Sequence, residues 1–246
     1  MLDWREGAQP WPAKPHAGYR PQRTPEERAA HRRKMTAFAR SMWAETVPAQ
    51  GTLVEVYLWS RLLTMAPPPT MRLHWGLRLD AAGKLPAIVA KVEHVEHGFT
   101  AVHVTWLQPD YHTRAARRGA RKTFGPIGGG AVRFGEPQPD QWLVVGEGLE
   151  STLSLVLSTG RPGWAALSDR GVIGLQLPPE ARQVLIAADN DAAGQTAARI
   201  AKERWTREGR RVRILTPPLP DTDWNDVLTG HAPASLCEAM EETHAA

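Results

Sequence analysis

Cysteine is all but missing: Cys237 is the single one in 246 residues. One thiol closes no disulfide framework and builds no cysteine-based zinc site. Long apolar runs are missing as well; none reaches the roughly 18 residues of a membrane-spanning helix. The opening Met-Leu-Asp-Trp-Arg-Glu-Gly lacks the apolar core of a signal peptide. A cytoplasmic location with no membrane partner is therefore expected. Two nucleotide motifs are absent. The glycine-rich stretch at 125–135, GPIGGGAVRFG, lacks the Gly-Lys-Ser/Thr of a P-loop, and no Gly-x-Gly-x-x-Gly follows a strand.

Overall charge is also modest, at +4, but it is unevenly spread. Residues 1–40 hold nine Lys/Arg against four Asp/Glu. Residues 110–122 hold Arg114, Arg117, Arg118, Arg121 and Lys122 against Asp110 alone. Such local density suits a polyanion, with a solvated surface as the plain alternative. Ten tryptophans are present; Trp106 and Trp224 are expected in the core rather than stacked on bases.

The length allows one large domain or two small ones. Residues 1–25, rich in Pro and Arg, read as a basic arm. Thr24-Pro25-Glu26-Glu27 starts a helix, with Met35, Phe38, Ala39 and Met42 as its apolar stripe. A second helix is expected over 52–63, with Thr52 and Glu55 forming a capping box. Residues 86–92 and 99–107 read as a hairpin turning at 94–98. His94, His97 and His103 lie close in sequence, but without a carboxylate-rich partner they read as surface or core histidines. Together, residues 26–138 form a smaller α+β region.

From 139 the pattern changes to α/β. Strands at 142–146, 163–167, 183–187 and 211–215 alternate with helices at 149–157 and 192–208, and a last helix is expected near 233–242. This alternation predicts a parallel sheet covered on both faces. Ligands bind at the carboxyl ends of such strands. Acids cluster at those ends: Glu147 between two glycines, Asp189 and Asp191 in Ala-Asp-Asn-Asp-Ala, and Asp223 and Asp226 in Asp-Thr-Asp-Trp-Asn-Asp. Packed carboxylates repel one another, so Mg²⁺ or Mn²⁺ is their natural partner. Asp223 and Asp226 read as flanking a second ion or capping a helix at 224–229; capping explains one of them well, but not three aspartates in six residues at one sheet edge.

VVGEG and IAADNDAAG resemble the motifs of the Toprim fold, shared by bacterial-type primases, type IA and II topoisomerases and certain nucleases. GTLVEVYLWSRLL, HVTWL, RKTFGPIGGGAVRF and DTDWNDVL extend the resemblance to Toprim primases and primase-helicase N-terminal parts of phages, plasmids and integrated elements. The resemblance implies a Toprim-type parallel sheet over 139–246. It makes Glu147 a general acid/base or metal-linked carboxylate, with Asp189 and Asp191 holding Mg²⁺. It further implies primer synthesis on single-stranded DNA from nucleoside triphosphates, with the basic run on the polyanion. Many such primases carry a zinc module that one cysteine cannot build, so a zinc-bearing subunit, like any helicase, is expected as another chain. A small Toprim nuclease and a non-catalytic nucleic-acid-binding replication subunit are the alternatives.

Overall fold

The computed structural model describes residues 23–80, 83–108 and 120–230. Most of the expected arm, Arg114, Arg117, Arg118 and the expected C-terminal helix lie outside them.

Helix α1 (Pro25–Ala44) starts as expected: Thr24 and Glu27 form a full capping box, with Pro25 in the first turn. Ala39 and Met42 are buried, whereas Phe38 stays 47% exposed and meets the edge of Phe124. After the short β1 (Val47–Pro48) comes α2 (Leu53–Ser60), capped by Thr52. Its expected capping box does not form. The Thr52 N–H is already taken by the Ala49 carbonyl, so the Glu55 carboxylate accepts from Gly51 N–H at 2.8 Å instead.

Three long antiparallel strands follow: β2 (Met71–Asp80), β3 (Gly83–His94) and β4 (Gly98–Trp106). The β3–β4 hairpin matches its expected position; β2 has no counterpart in the sequence reading. Next come β5 (Arg121–Phe124), paired with β4, and β6 (Ala131–Phe134). The glycine-rich stretch between β5 and β6 is not a hairpin turn, because those two strands do not pair with each other.

The second half runs β7 (Trp142–Gly146), α3 (Leu149–Thr159), β8 (Gly163–Ala165), α4 (Asp169–Gly174), β9 (Gln183–Ala187), α5 (Ala192–Arg207), β10 (Arg211–Leu215) and α6 (Trp224–Leu228). Strands β8, β7, β9 and β10 are parallel neighbours in that order. Leu143, Val145, Val184 and Ile186 face α5 through Ala198, Ala201 and Trp205. Their alternates Trp142, Val144, Leu185 and Ala187 pack with Leu155 of α3 and Trp224 and Val227 of α6. Both faces are covered, which is why the strands read as continuous apolar runs.

β6 joins the halves. It pairs antiparallel with β3 through Val92↔Val132 and with β8 through Val132↔Ala165. The antiparallel and parallel parts are therefore one continuous ten-stranded sheet among the described residues.

Candidate metal-dependent active site

Every parallel strand delivers an acidic turn at its carboxyl end. β7 runs out at Gly146, and Glu147 precedes Gly148, the N-cap of α3. Gly146 has no room for a side chain: a Cβ there would overlap the Thr152 hydroxyl. β9 leads to Asp189 and Asp191, and Asp191 caps α5 by accepting from Gly194 N–H at 2.7 Å. Past β10, Asp223 caps α6. Its Oδ1 accepts from Asn225 and Asp226 N–H, and Asp226 accepts in turn from Asp223 N–H at 3.0 Å. Both of these aspartates are thus cap residues, and both also line the cleft described below.

β8 supplies an acid the sequence reading passed over. Asp169 opens α4 and hydrogen-bonds to Glu147. Leu167 N–H donates to the Glu147 carbonyl at 2.8 Å, and Leu167 holds a left-handed φ of 71°. A branched residue in that region is strained, as backbones at functional sites often are.

Asn190 straps the β9 and β10 turns together. Its amide donates to the carbonyls of Pro217 and Leu219, both at 2.8 Å. Ser151 links the same turns to α3. Its hydroxyl donates to Asp189 Oδ1 at 3.4 Å and accepts from Trp224 N–H at 3.1 Å.

The result is a cleft lined by Glu147, Glu150, Asp189, Asp223 and Asp226, with Arg61 and Arg121 in its wall. Burial, the hydrogen bond with Asp169 and the charges of Asp169, Asp189 and Asp191 push the Glu147 carboxyl up to about 8. Burial and the charges of Asp223 and Asp191 push Asp189 up to about 6, against the lowering effect of the Ser151 hydrogen bond. Burial likewise raises Asp223. These are negative charges short of compensation.

The donors are all oxygens, the set a hard divalent cation takes. Among the described residues, no three of these carboxylates bring one oxygen each within 4.8 Å of the others. A hard divalent cation held there would take one or two of these carboxylates and fill its shell with water and phosphate oxygens.

The basic run is seen only at its end. Arg121 does not stand free to meet a phosphate: its guanidinium donates to Glu150 Oε1 at 2.7 Å. Tyr57 Oη donates to the same oxygen at 2.5 Å. Lys122 is exposed, its Nζ 5.2 Å from the Phe124 ring centroid, beside a pocket that reaches Glu147 and Gly148. His103 is buried and bonded to Thr123 Oγ1, and burial, then the charge of Arg121, pulls it down to about 4. Trp106 and Trp224 are both buried.

Asp169, Glu150, Ser151 and Tyr57 were not foreseen. Asp169 follows the same rule as its partners, an acid just past a parallel strand, and Ser168 ahead of it is a helix-cap signal. The other three carried no signal, because their roles arise from contacts between distant segments.

Residues 142–234 match the family model described as a Toprim domain, and residues 33–134 match one described as a domain of unknown function, DUF7146. With acids at the carboxyl ends of four parallel strands, residues 142–234 are a Toprim domain. No curated protein matches the chain. Similar solved structures include the DnaG catalytic core, at 16% identity over 63% of this chain and 52% of that one, TM-score 0.45. A DNA primase domain from Pseudomonas aeruginosa is similar at 17% identity over 68% of this chain and 55% of that one, TM-score 0.44. The DnaG primase catalytic domain bound to single-stranded DNA is similar at 15% identity over 87% and 81%, TM-score 0.47. The chain thus spans about half the length of the first two. No helix among the described residues is long and apolar enough to cross a membrane.

Proposed function

We propose that the acidic cleft is the centre of a DNA primase-like nucleotidyltransferase that makes primers on single-stranded DNA from nucleoside triphosphates. The observation that carries this reading is the meeting of Glu147, Asp189 and Asp223 in one cleft walled by Arg61 and Arg121, with Asp169 against Glu147. One or two of Asp189, Asp191 and Asp223 would hold Mg²⁺ or Mn²⁺ directly, with water and phosphate oxygens completing its shell. A bound ion would orient the triphosphate and offset charge developing on its oxygens.

The chain's own residues supply the rest. Glu147, its pKa lowered and its carboxylate ionised beside a bound cation, would take the proton of a 3′-hydroxyl as that oxygen attacks the α-phosphate and pyrophosphate leaves. Lys122, with Arg114, Arg117 and Arg118, would draw in the phosphates of template and nucleotide without reading sequence. Arg121 would act mainly through its hold on Glu150. The setting would be cytoplasmic replication of a phage, plasmid or integrated element, with a helicase and a zinc-bearing module as working partners.

The test is product type. Incubation with single-stranded DNA, labelled nucleoside triphosphates and Mg²⁺ is expected to give short labelled oligonucleotides. Cleavage of the DNA without nucleotide incorporation would instead make this a Toprim nuclease.

A further inference from the structure

His94, Glu96 and His97 occupy one tight turn between β3 and β4. One ligand atom from each lies within 4.8 Å of the other two, an arrangement that no other His, Cys, Asp or Glu trio matches among the described residues. Read by sequence, the histidines lacked a carboxylate partner. The turn supplies one, because it brings a Glu96 carboxylate oxygen within 4.8 Å of a ring nitrogen of each histidine. His103, on β4, takes no part; it bonds to Thr123.

Two features prepare His94. It is 5% exposed and its ring abuts Gly129, where a Cβ would come within 2.7 Å of Nε2. Gly129 is also held in place by Gln176 N–H, which donates to its carbonyl at 3.1 Å. Nε2 therefore faces packed backbone. The other nitrogen, Nδ1, accepts from Glu96 N–H at 3.1 Å. A backbone N–H only donates, so Nδ1 is the unprotonated nitrogen, and its lone pair points into the turn. His97 is exposed and stacks on His94 with centroids 4.5 Å apart and planes 14° apart. Glu96 is exposed too. Neither has a packed environment that would account for the cluster.

We infer that this turn is a second metal site, distinct from the acidic cleft, binding a divalent transition ion of the zinc type through His94 Nδ1, His97 and Glu96. Two imidazoles and one carboxylate match zinc's preference, whereas Mg²⁺ prefers oxygen alone. Three protein ligands leave one tetrahedral position for water or a fourth donor. Coordination exchanges the Glu96 N–H bond for the ion and turns the exposed His97 ring out of the stack. The bound ion would pin the hairpin turn against the Gly129 loop, which a hydrogen bond ties to Gln176 just past α4.

The experiment is a Co²⁺ titration of metal-stripped chain in Mg²⁺-free buffer, followed by visible absorption. Wild type is expected to develop ligand-field bands that saturate at one equivalent and vanish on adding Zn²⁺. Outer-shell changes at metal sites already cost about 10–100-fold in affinity, so Glu96→Gln and His97→Ala should each weaken binding at least tenfold. Both side chains are exposed; should His97→Ala fail to fold, Glu96→Gln decides. Asp189→Asn should leave the titration unchanged, which separates this site from the proposed catalytic one. No saturable band in wild type overturns the inference. So does a band that both turn variants retain at full affinity.

Discussion

Tyr57 and Glu150, 93 residues apart in the chain, share a buried 2.5 Å hydrogen bond that joins α2 to α3. Arg121 of β5 closes on the same Glu150 oxygen at 2.7 Å. Burial first, then the Glu150 charge and this bond, hold the Tyr57 hydroxyl well above its ordinary value. Asn225 makes a parallel link, donating to the Arg61 carbonyl at 3.0 Å. The antiparallel half therefore reaches the acidic cleft through α2 and β5 as well as through β6.

Glu150→Ala should lower folding stability by about 2 kcal/mol, since it strands a buried hydroxyl and leaves a guanidinium without its partner. Urea unfolding measures this. Tyr57→Phe removes only one hydrogen bond and should cost about 1 kcal/mol.

The acidic cleft makes stability depend on pH in an unusual direction. Glu147 and Asp189 hold protons to higher pH folded than unfolded. The folded chain then binds more protons than the unfolded chain, and stability falls as pH rises. The window runs from 4.5 to about 8 for Glu147 and from 3.8 to about 6 for Asp189. In EDTA the melting temperature should drop between pH 5 and 8. Mg²⁺ should offset the drop, and Glu147→Gln should flatten it.

Asp191 has two tasks that a pair of variants can separate. Asp191→Ala loses the cap on Gly194 N–H as well as the charge, and should cost about 1 kcal/mol of stability. Asp191→Asn keeps a capping oxygen and should unfold close to wild type, yet bind Mn²⁺ more weakly in the cleft. Mn²⁺ paramagnetic resonance reads the second effect and thermal melting the first.

α4 carries Asp169, and Gly171 allows it to sit where it does. A Cβ at Gly171 would overlap the Ala166 carbonyl oxygen. Gly171→Ala should cost about 1–3 kcal/mol by overpacking and, by displacing Asp169, should lower the pH at which Glu147 titrates. Carboxyl resonances followed by NMR through a pH titration check the second part.

Lys122→Ala should weaken binding to single-stranded DNA and reduce the salt slope by about 0.7, the value of one phosphate contact on a single strand. Fluorescence anisotropy at several salt concentrations measures it.

The parallel half was legible because its strands are buried on both faces, leaving plain apolar runs such as Trp142–Gly146 and Gln183–Ala187. The acids at their ends followed from the same logic, and only Asp169 escaped, on a strand three residues long. β2 was harder. Met71, Leu73, Leu77 and Leu79 do alternate, but a bulge interrupts the ladder between His74 and Leu77, opposite Pro86 of β3, which has no N–H to offer. Trp75 sits at that bulge, 61% exposed. Glu150 gave no sign either. It reads as an ordinary acid in the first turn of α3, and only the fold brings Arg121 and Tyr57 to it.

The most direct test of the central claim is primer synthesis by wild type and Asp189→Asn, compared on single-stranded DNA with labelled nucleotides and Mg²⁺, after melting curves show both folded. The account predicts labelled oligonucleotides from wild type and at least a hundredfold fewer from Asp189→Asn, the scale on which lost electrostatic stabilisation of a transition state acts. Equal product from both would contradict it.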